Sequence, residues 1–213
     1  MKKSEAWTAV LRIVFTALFA ALFVVFSHIR LTLGFSPVPF TLQSFAIMLI
    51  GGLLGPRGGF VSLALVLALT ALGLPLIGEG GWSVMTGRTA GFIWLFPVSA
   101  FLIGWFARRI RTGGFLSWLA LAAVMELFGS LLLYAGGVPW FARVTGLSLA
   151  ESFALAAAPF LVTDLLKALL AAGIVQAIRP VMPVLDGRNA AGHALGDVAS
   201  LQAAPEEASS REN

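Results

Sequence analysis

The sequence contains no cysteine, and charged residues make up only 11% of its 213 positions. Without cysteine there is no disulfide, no thiolate metal site and no cysteine nucleophile. The low charge sits beside 59% hydrophobic residues, whereas soluble domains carry about 25% charged and 45–50% apolar residues. That balance excludes a soluble globular enzyme, a disordered chain and a nucleic-acid-binding protein. The pattern G-x-x-x-x-G-K-[ST] is also missing, so the chain has no recognisable means of binding and hydrolysing ATP. Any uphill work draws on a partner or an ion gradient. No internal repeat is evident, which weighs against an inverted-repeat transporter.

Long apolar runs are what the sequence does have. At about 20 residues per membrane span, 213 residues hold at most about six or seven. Six runs are present, over residues 7–29, 40–54, 60–74, 89–107, 115–134 and 152–178. The second and third are short for full spans, and the glycine-rich segment 51–59 between them predicts a tight turn joining two close-packed helices. Lys2 and Lys3 precede the first run, as in a secretory signal. That run is too long for a signal core and lacks a small-x-small cleavage site, so it reads as a span.

Placing the N-terminus inside puts Lys2, Lys3, Arg12, Arg57, Arg108, Arg109, Arg111, Arg179, Arg188 and Arg211 on the cytoplasmic side. Only Arg30, Arg88 and Arg143 fall outside. The asymmetry predicts an all-α integral membrane protein with six transmembrane helices and both termini cytoplasmic. It also accounts for the formal net charge of +4 without an acidic partner. The membrane domain is expected over residues 1–185. Residues 186–213, rich in Ala, Gly, Ser and Glu, are expected to form a disordered cytoplasmic tail in which His193 is solvated.

Three ionisable residues fall well inside predicted spans: Glu126, Asp164 and Lys167. Each would cost roughly 2.5–3.5 kcal/mol at a lipid-facing helix centre, so all three are expected to face the bundle interior. Asp164 and Lys167, three apart, share one helix face near the middle of the sixth span. Pro159 just before them is expected to bend that helix. The pair fits either an ion pair that locks helix packing or a site for a polar ligand, with Lys167 donating and Asp164 accepting. Glu126 has no partner at helical spacing and fits a protonated, paired or cavity-lining role.

Other polar and aromatic residues mark the outer side. Pro37 and Pro39 hold the chain extended before the second span, and Gln43, one turn inside, offers a donor and an acceptor to a ligand or to another helix. The loop before the fourth span is rich in glycine around Glu79, Trp82 and Arg88, as a lid would be. Arg88 fits an anion grip at the mouth or an interfacial snorkelling arginine. Tyr134 and Trp140 fit a pocket wall or the interfacial aromatic belt. Ala17 and Ala21 form a small-x-x-x-small step on the first span that permits close helix approach.

Several segments together resemble the BioY family, the biotin-binding S components of energy-coupling-factor (ECF) transporters. They are Ser36-Pro37-Val38-Pro39-Phe40-Thr41-Leu42-Gln43, Leu53-Leu54-Gly55-Pro56-Arg57-Gly58-Gly59, Leu72-Gly73-Leu74-Pro75 with Gly87-Arg88-Thr89-Ala90-Gly91-Phe92, Tyr134-Ala135-Gly136-Gly137-Val138-Pro139-Trp140, and Ala158-Pro159-Phe160-Leu161-Val162-Thr163-Asp164-Leu165-Leu166-Lys167-Ala168. Their order and spacing match over roughly residues 10–180.

The resemblance implies an S-component-like six-helix bundle, not an enzyme, in a bacterial or archaeal cytoplasmic membrane. It implies biotin as the transported ligand and no cofactor. Asp164 and Lys167 would hold the ureido end, with Trp82, Phe92 and Trp140 as candidate walls. It further implies docking through Ala17 and Ala21 onto a transmembrane coupling subunit that carries two ATPase subunits. The chain departs from the family at Val162-Thr163, where Pro-Gly is common, and at Arg88-Thr89-Ala90-Gly91-Phe92, where Pro-Thr-Gly-Gly-Tyr is common. A self-sufficient proton-coupled transporter and an S component for another vitamin are the rival readings.

Overall fold

The computed structural model describes residues 2–31, 34, 38–111 and 113–181. The expected tail with His193, and Ser36 and Pro37 ahead of the second span, lie outside the described residues. Helix α1 (Lys2–His28) is one long apolar rod. Its buried residues Ala20, Phe23 and Ser27 fall on one stripe, the spacing that lays one helix face against a bundle. Ser62 donates to the Thr16 carbonyl at 3.1 Å and Ser27 to the Leu76 carbonyl at 2.6 Å, tying this stripe to the neighbouring helix and the loop beyond it. Trp7, Ile13, Val14, Leu18 and Val25 are exposed on the other side, as are Ala17 and Ala21. In a membrane that side meets lipid or a partner.

A two-residue β1 (Arg30–Leu31) pairs antiparallel with β2 (Phe40–Thr41), bringing Arg30 opposite Thr41. Helix α2 (Gln43–Ala71) follows and is broken at Gly55, which adopts φ 72° and ψ −173°. Pro56, next in line, has no N–H to continue the ladder. The chain folds back there, since a Cβ placed on Gly59 would lie 3.4 Å from the Gly51 Cα. In a straight helix those two residues would be about 12 Å apart. Gly51 is itself pressed on the neighbouring helix α5 (Phe96–Ala107), where a Cβ would come within 2.7 Å of the Ala100 carbonyl oxygen. The expected tight turn is therefore a glycine-seamed hairpin.

The hairpin leaves the second and third expected spans as two short helices folded back on each other. Among the described residues, and with both arms taken together, five segments are long and apolar enough to cross a membrane: Ala9–His28, Gln43–Ala71, Ala90–Ala107, Phe115–Thr145 and Leu149–Val181. The second and third expected spans are the two arms of one of them. At 1.5 Å per residue, arms 43–54 and 56–71 are about 18 and 24 Å long, short of a hydrocarbon core about 30 Å thick.

Later segments are interrupted. Short helices α3 (Trp82–Thr86) and α4 (Ala90–Ile93) precede α5 (Phe96–Ala107), which carries Pro97 in its first turn. Helix α6 (Phe115–Glu126) runs through a π-helical turn, Leu127–Leu131, into α7 (Leu132–Thr145). This run extends eleven residues past the expected end at Tyr134, because Pro139 is accommodated inside it and only Gly146, at φ 74°, terminates it. Helix α8 (Leu149–Ala156) opens on a capping box between Ser148 and Glu151. At Ala157 (φ −133°, ψ −56°) it stops, a 3₁₀ turn follows at Ala158–Phe160, and α9 (Leu161–Ile178) begins anew. The bend expected from Pro159 is thus a full break, and Asp164 sits in the first turn of a helix rather than the middle of one.

Candidate ligand-binding site

The break before α9 builds the site. Asp164 lies where the positive end of the helix dipole favours a carboxylate, and Lys167 follows one turn later. Both are buried, at 6% and 7% exposure. The ammonium of Lys167 donates to Asp164 Oδ1 at 2.7 Å, to the Thr41 carbonyl at 2.8 Å and to Ser44 Oγ at 3.2 Å. It also stands 4.3 Å from the centre of the Phe40 ring, a favourable cation–π distance. Asp164 accepts from Ser44 Oγ at 3.1 Å on Oδ1 and from the Tyr134 hydroxyl on Oδ2. Every donor of this buried ammonium has a partner, which offsets its desolvation.

Three other elements supply those partners. Strand β2 offers the Thr41 carbonyl, the first turn of α2 offers Ser44, and α7 offers Tyr134. The π turn inserts one extra residue into the α6–α7 helix, a device that often sits at functional sites. Ser130 lies in this turn and donates to Glu126 Oε2 at 3.2 Å.

A cavity of about 220 Å³ opens on the pair. Its polar end is Asp164, Lys167, Thr41, Gln43, Ser44, Ser130 and Tyr134. Phe92, Phe96, Phe160, Ile93 and Leu133 form apolar walls, and Arg30, Ile77, Gly78, Ser83 and Val84 close another side. Phe92 meets Tyr134 edge-on, with ring centres 6.4 Å apart. A short row of donors and acceptors inside aromatic walls suits a small, flat, polar-headed molecule.

Of the residues singled out in the sequence, Asp164, Lys167, Gln43 and Phe92 line the cavity, and Trp82, Arg88 and Trp140 do not. Trp82 is 62% exposed and packs edge-on against Trp94. Arg88 is exposed, while its neighbours Gly87 and Thr89 face the cavity. Trp140 stands behind that loop and donates from Nε1 to the Gly87 carbonyl at 2.9 Å. Glu126 does not line the cavity but reaches it through Ser130.

Sequence reasoning missed Ser44, Thr41, Ser130 and Arg30, and left Tyr134 open between wall and belt. One signal was available: Glu126, Ser130 and Tyr134 recur every fourth residue on an otherwise apolar helix, a polar stripe that should face inward.

A family model described as the BioY family matches residues 1–184. The chain belongs to the BioY family. A BioY protein from Rhizobium etli, named a biotin transporter, is 35% identical over 184 residues, covering 83% of this chain and 97% of that one. A probable biotin transporter BioY from Pyrococcus horikoshii is 35% identical over 165 residues, covering 76% and 93%. Among solved structures, the crystal structure of the S-component for biotin from an ECF-type ABC transporter superposes with a TM-score of 0.75. It is 30% identical and covers 81% of this chain and 92% of that one.

Proposed function

We propose that this chain captures biotin at the outer face of the cytoplasmic membrane, as the substrate-specific subunit of an ATP-driven ECF-type transporter. The observation that carries the reading is the buried Asp164–Lys167 pair facing a cavity with aromatic walls. A ureido group presents one carbonyl acceptor and two N–H donors. The carbonyl takes a bond from Lys167, replacing the 3.2 Å contact to Ser44, and an N–H donates to Asp164. Ser44 and Tyr134 hold the carboxylate in place beforehand, so little ordering is left for binding to supply. Phe92, Phe96 and Phe160 flank the fused rings.

The loop spanning 72–89 acts as the lid, with Trp140 bracing it at Gly87 and Trp82 covering it from outside. Ala17 and Ala21, on the exposed side of α1, give a coupling subunit a smooth face to approach. Two ATPase subunits on that partner supply the energy that this chain has no motif to extract. The protein is a transport subunit, not an enzyme.

The test is biotin binding by detergent-purified protein without ATP. Asp164→Asn and Lys167→Ala are each expected to weaken binding at least about tenfold, the lower end for a hydrogen bond to a charged group. Arg143→Gln, at the exposed end of α7, is expected to bind like the wild type. Wild-type affinity in both site variants refutes the assignment. The Glu126–Ser130 contact beside the cavity favours one second reading, proton-coupled transport without ATPases. Uptake by proteoliposomes of this chain alone under a pH gradient would establish it.

A further inference from the structure

Two cationic side chains line the cavity, and they differ in one respect. Lys167 has its charge compensated by Asp164 at 2.7 Å. Arg30 has no such partner among the described residues. The charged groups lining the cavity are therefore one carboxylate, one ammonium and one guanidinium, an excess of a single positive charge. Glu79, beside Gly78 in the facing loop, is exposed and makes no ion pair.

The fork of Arg30 is also held in place. Its Nε donates to the Ser27 carbonyl at 2.8 Å, at the end of α1. Its two terminal nitrogens lie over Gly78, where a Cβ would sit 3.4 and 3.6 Å from them. Pairing of β1 with β2 sets Arg30 opposite Thr41, the residue whose carbonyl anchors Lys167. The fork lies by Ser27 and Gly78 and makes no hydrogen bond to Ser44, Tyr134 or Asp164. A guanidinium held through Nε, on an exposed residue that lines the cavity, suits bidentate binding of a carboxylate.

We infer that Arg30 binds the carboxylate of the ligand, so that the cavity selects a monoanion with a neutral polar head. Arg88, which lies outside the lining, does not fill this role. The inference rests on the biotin reading above and adds the subsite for the other end of that molecule.

The experiment compares biotin with its methyl ester, which keeps the ureido head and loses the charge. Wild-type protein is expected to prefer biotin by about ten- to a hundredfold, the range for a charge-assisted hydrogen-bonded pair. Arg30→Gln is expected to abolish this preference by weakening biotin alone, with ester affinity held within about twofold. Retained ester binding also reports that the variant is folded. Arg88→Gln is expected to keep the preference.

An unchanged preference in Arg30→Gln, equal losses for both ligands, or a preference that vanishes in Arg88→Gln each overturns the assignment. Should the glutamine variant not fold, Arg30→Lys keeps the charge but loses the Nε bond. It is expected to weaken biotin more than the ester, and equal losses there overturn the assignment as well. Wild-type protein that binds neither ligand refutes the biotin reading itself, and the subsite with it. Binding of both with no preference refutes only the subsite.

Discussion

Removing Lys167 alone, and then together with the charge of Asp164, separates what the pair does for the fold from what it does for a ligand. In Lys167→Met the methionine fills much of the lysine stem, and Asp164 keeps its donors from Ser44 and Tyr134. The carboxylate then stays buried without its counter-ion. Removing one partner of a buried pair costs about 3–5 kcal/mol, equivalent to a fall of about 6–20 °C in Tm for a chain of this size. In Lys167→Met/Asp164→Asn the charge is gone as well, the Asn oxygen keeps one of the two hydroxyl donors while the other hydroxyl turns to accept from the amide NH2, and most of that loss is expected to return. Binding should not return with it, because both the ammonium and the carboxylate that meet the ligand are missing. The assay is thermal unfolding in detergent, with and without biotin, for the single and double variants. A double variant that regains stability but shows no biotin-dependent rise in Tm is the expected result. If biotin stabilises the double variant as it does the wild type, the pair is a packing device and the site lies elsewhere.

Two further outcomes follow from the geometry around the site. Gly51→Leu places a side chain where a Cβ alone would come within 2.7 Å of the Ala100 carbonyl oxygen. It is expected to open the α2 hairpin, and a loss of only about 1 kcal/mol or less, the scale of a tolerated core swap, would show that the arms are not closely packed. Trp140→Phe removes the bond to the Gly87 carbonyl while keeping most of the packing, at a cost of about 0.5–1.5 kcal/mol. Biotin should dissociate about two- to tenfold faster with little change in its association rate, as stopped-flow measurement would record. An unchanged dissociation rate would mean that this loop does not hold the ligand.

The elements most legible in the sequence were those that the bilayer constrains. Apolar runs marked the long helices because a span must satisfy its backbone internally. The glycine-rich segment 51–59 marked the hairpin because only glycine permits the φ of Gly55 and the approach of Gly59 to Gly51. The cost of burying Asp164 and Lys167 marked the polar end of the cavity. What stayed hidden depends on where chains cross. Arg30 reads as a loop charge until β1 pairs with β2 and carries it to the cavity wall. Arg88 reads as an anion grip or a snorkelling arginine until the turns around Gly87 and Thr89 leave it exposed and outside the cavity lining. The break at Ala157 was hinted at by Pro159, yet only the structure places Asp164 at a helix start. Ser44 carried no charge or spacing to set it apart from other helix-end hydroxyls, and Thr41 acts through its backbone carbonyl, which no side chain marks.

The central claim is that this cavity is built for biotin. Mass spectrometry of the small molecule released from protein purified gently from its own cells tests it most directly. The expected result is biotin, close to one per chain and lost in Lys167→Met/Asp164→Asn. Another solute in its place, released from the wild type and absent from that variant, would contradict the claim while leaving the site where it is.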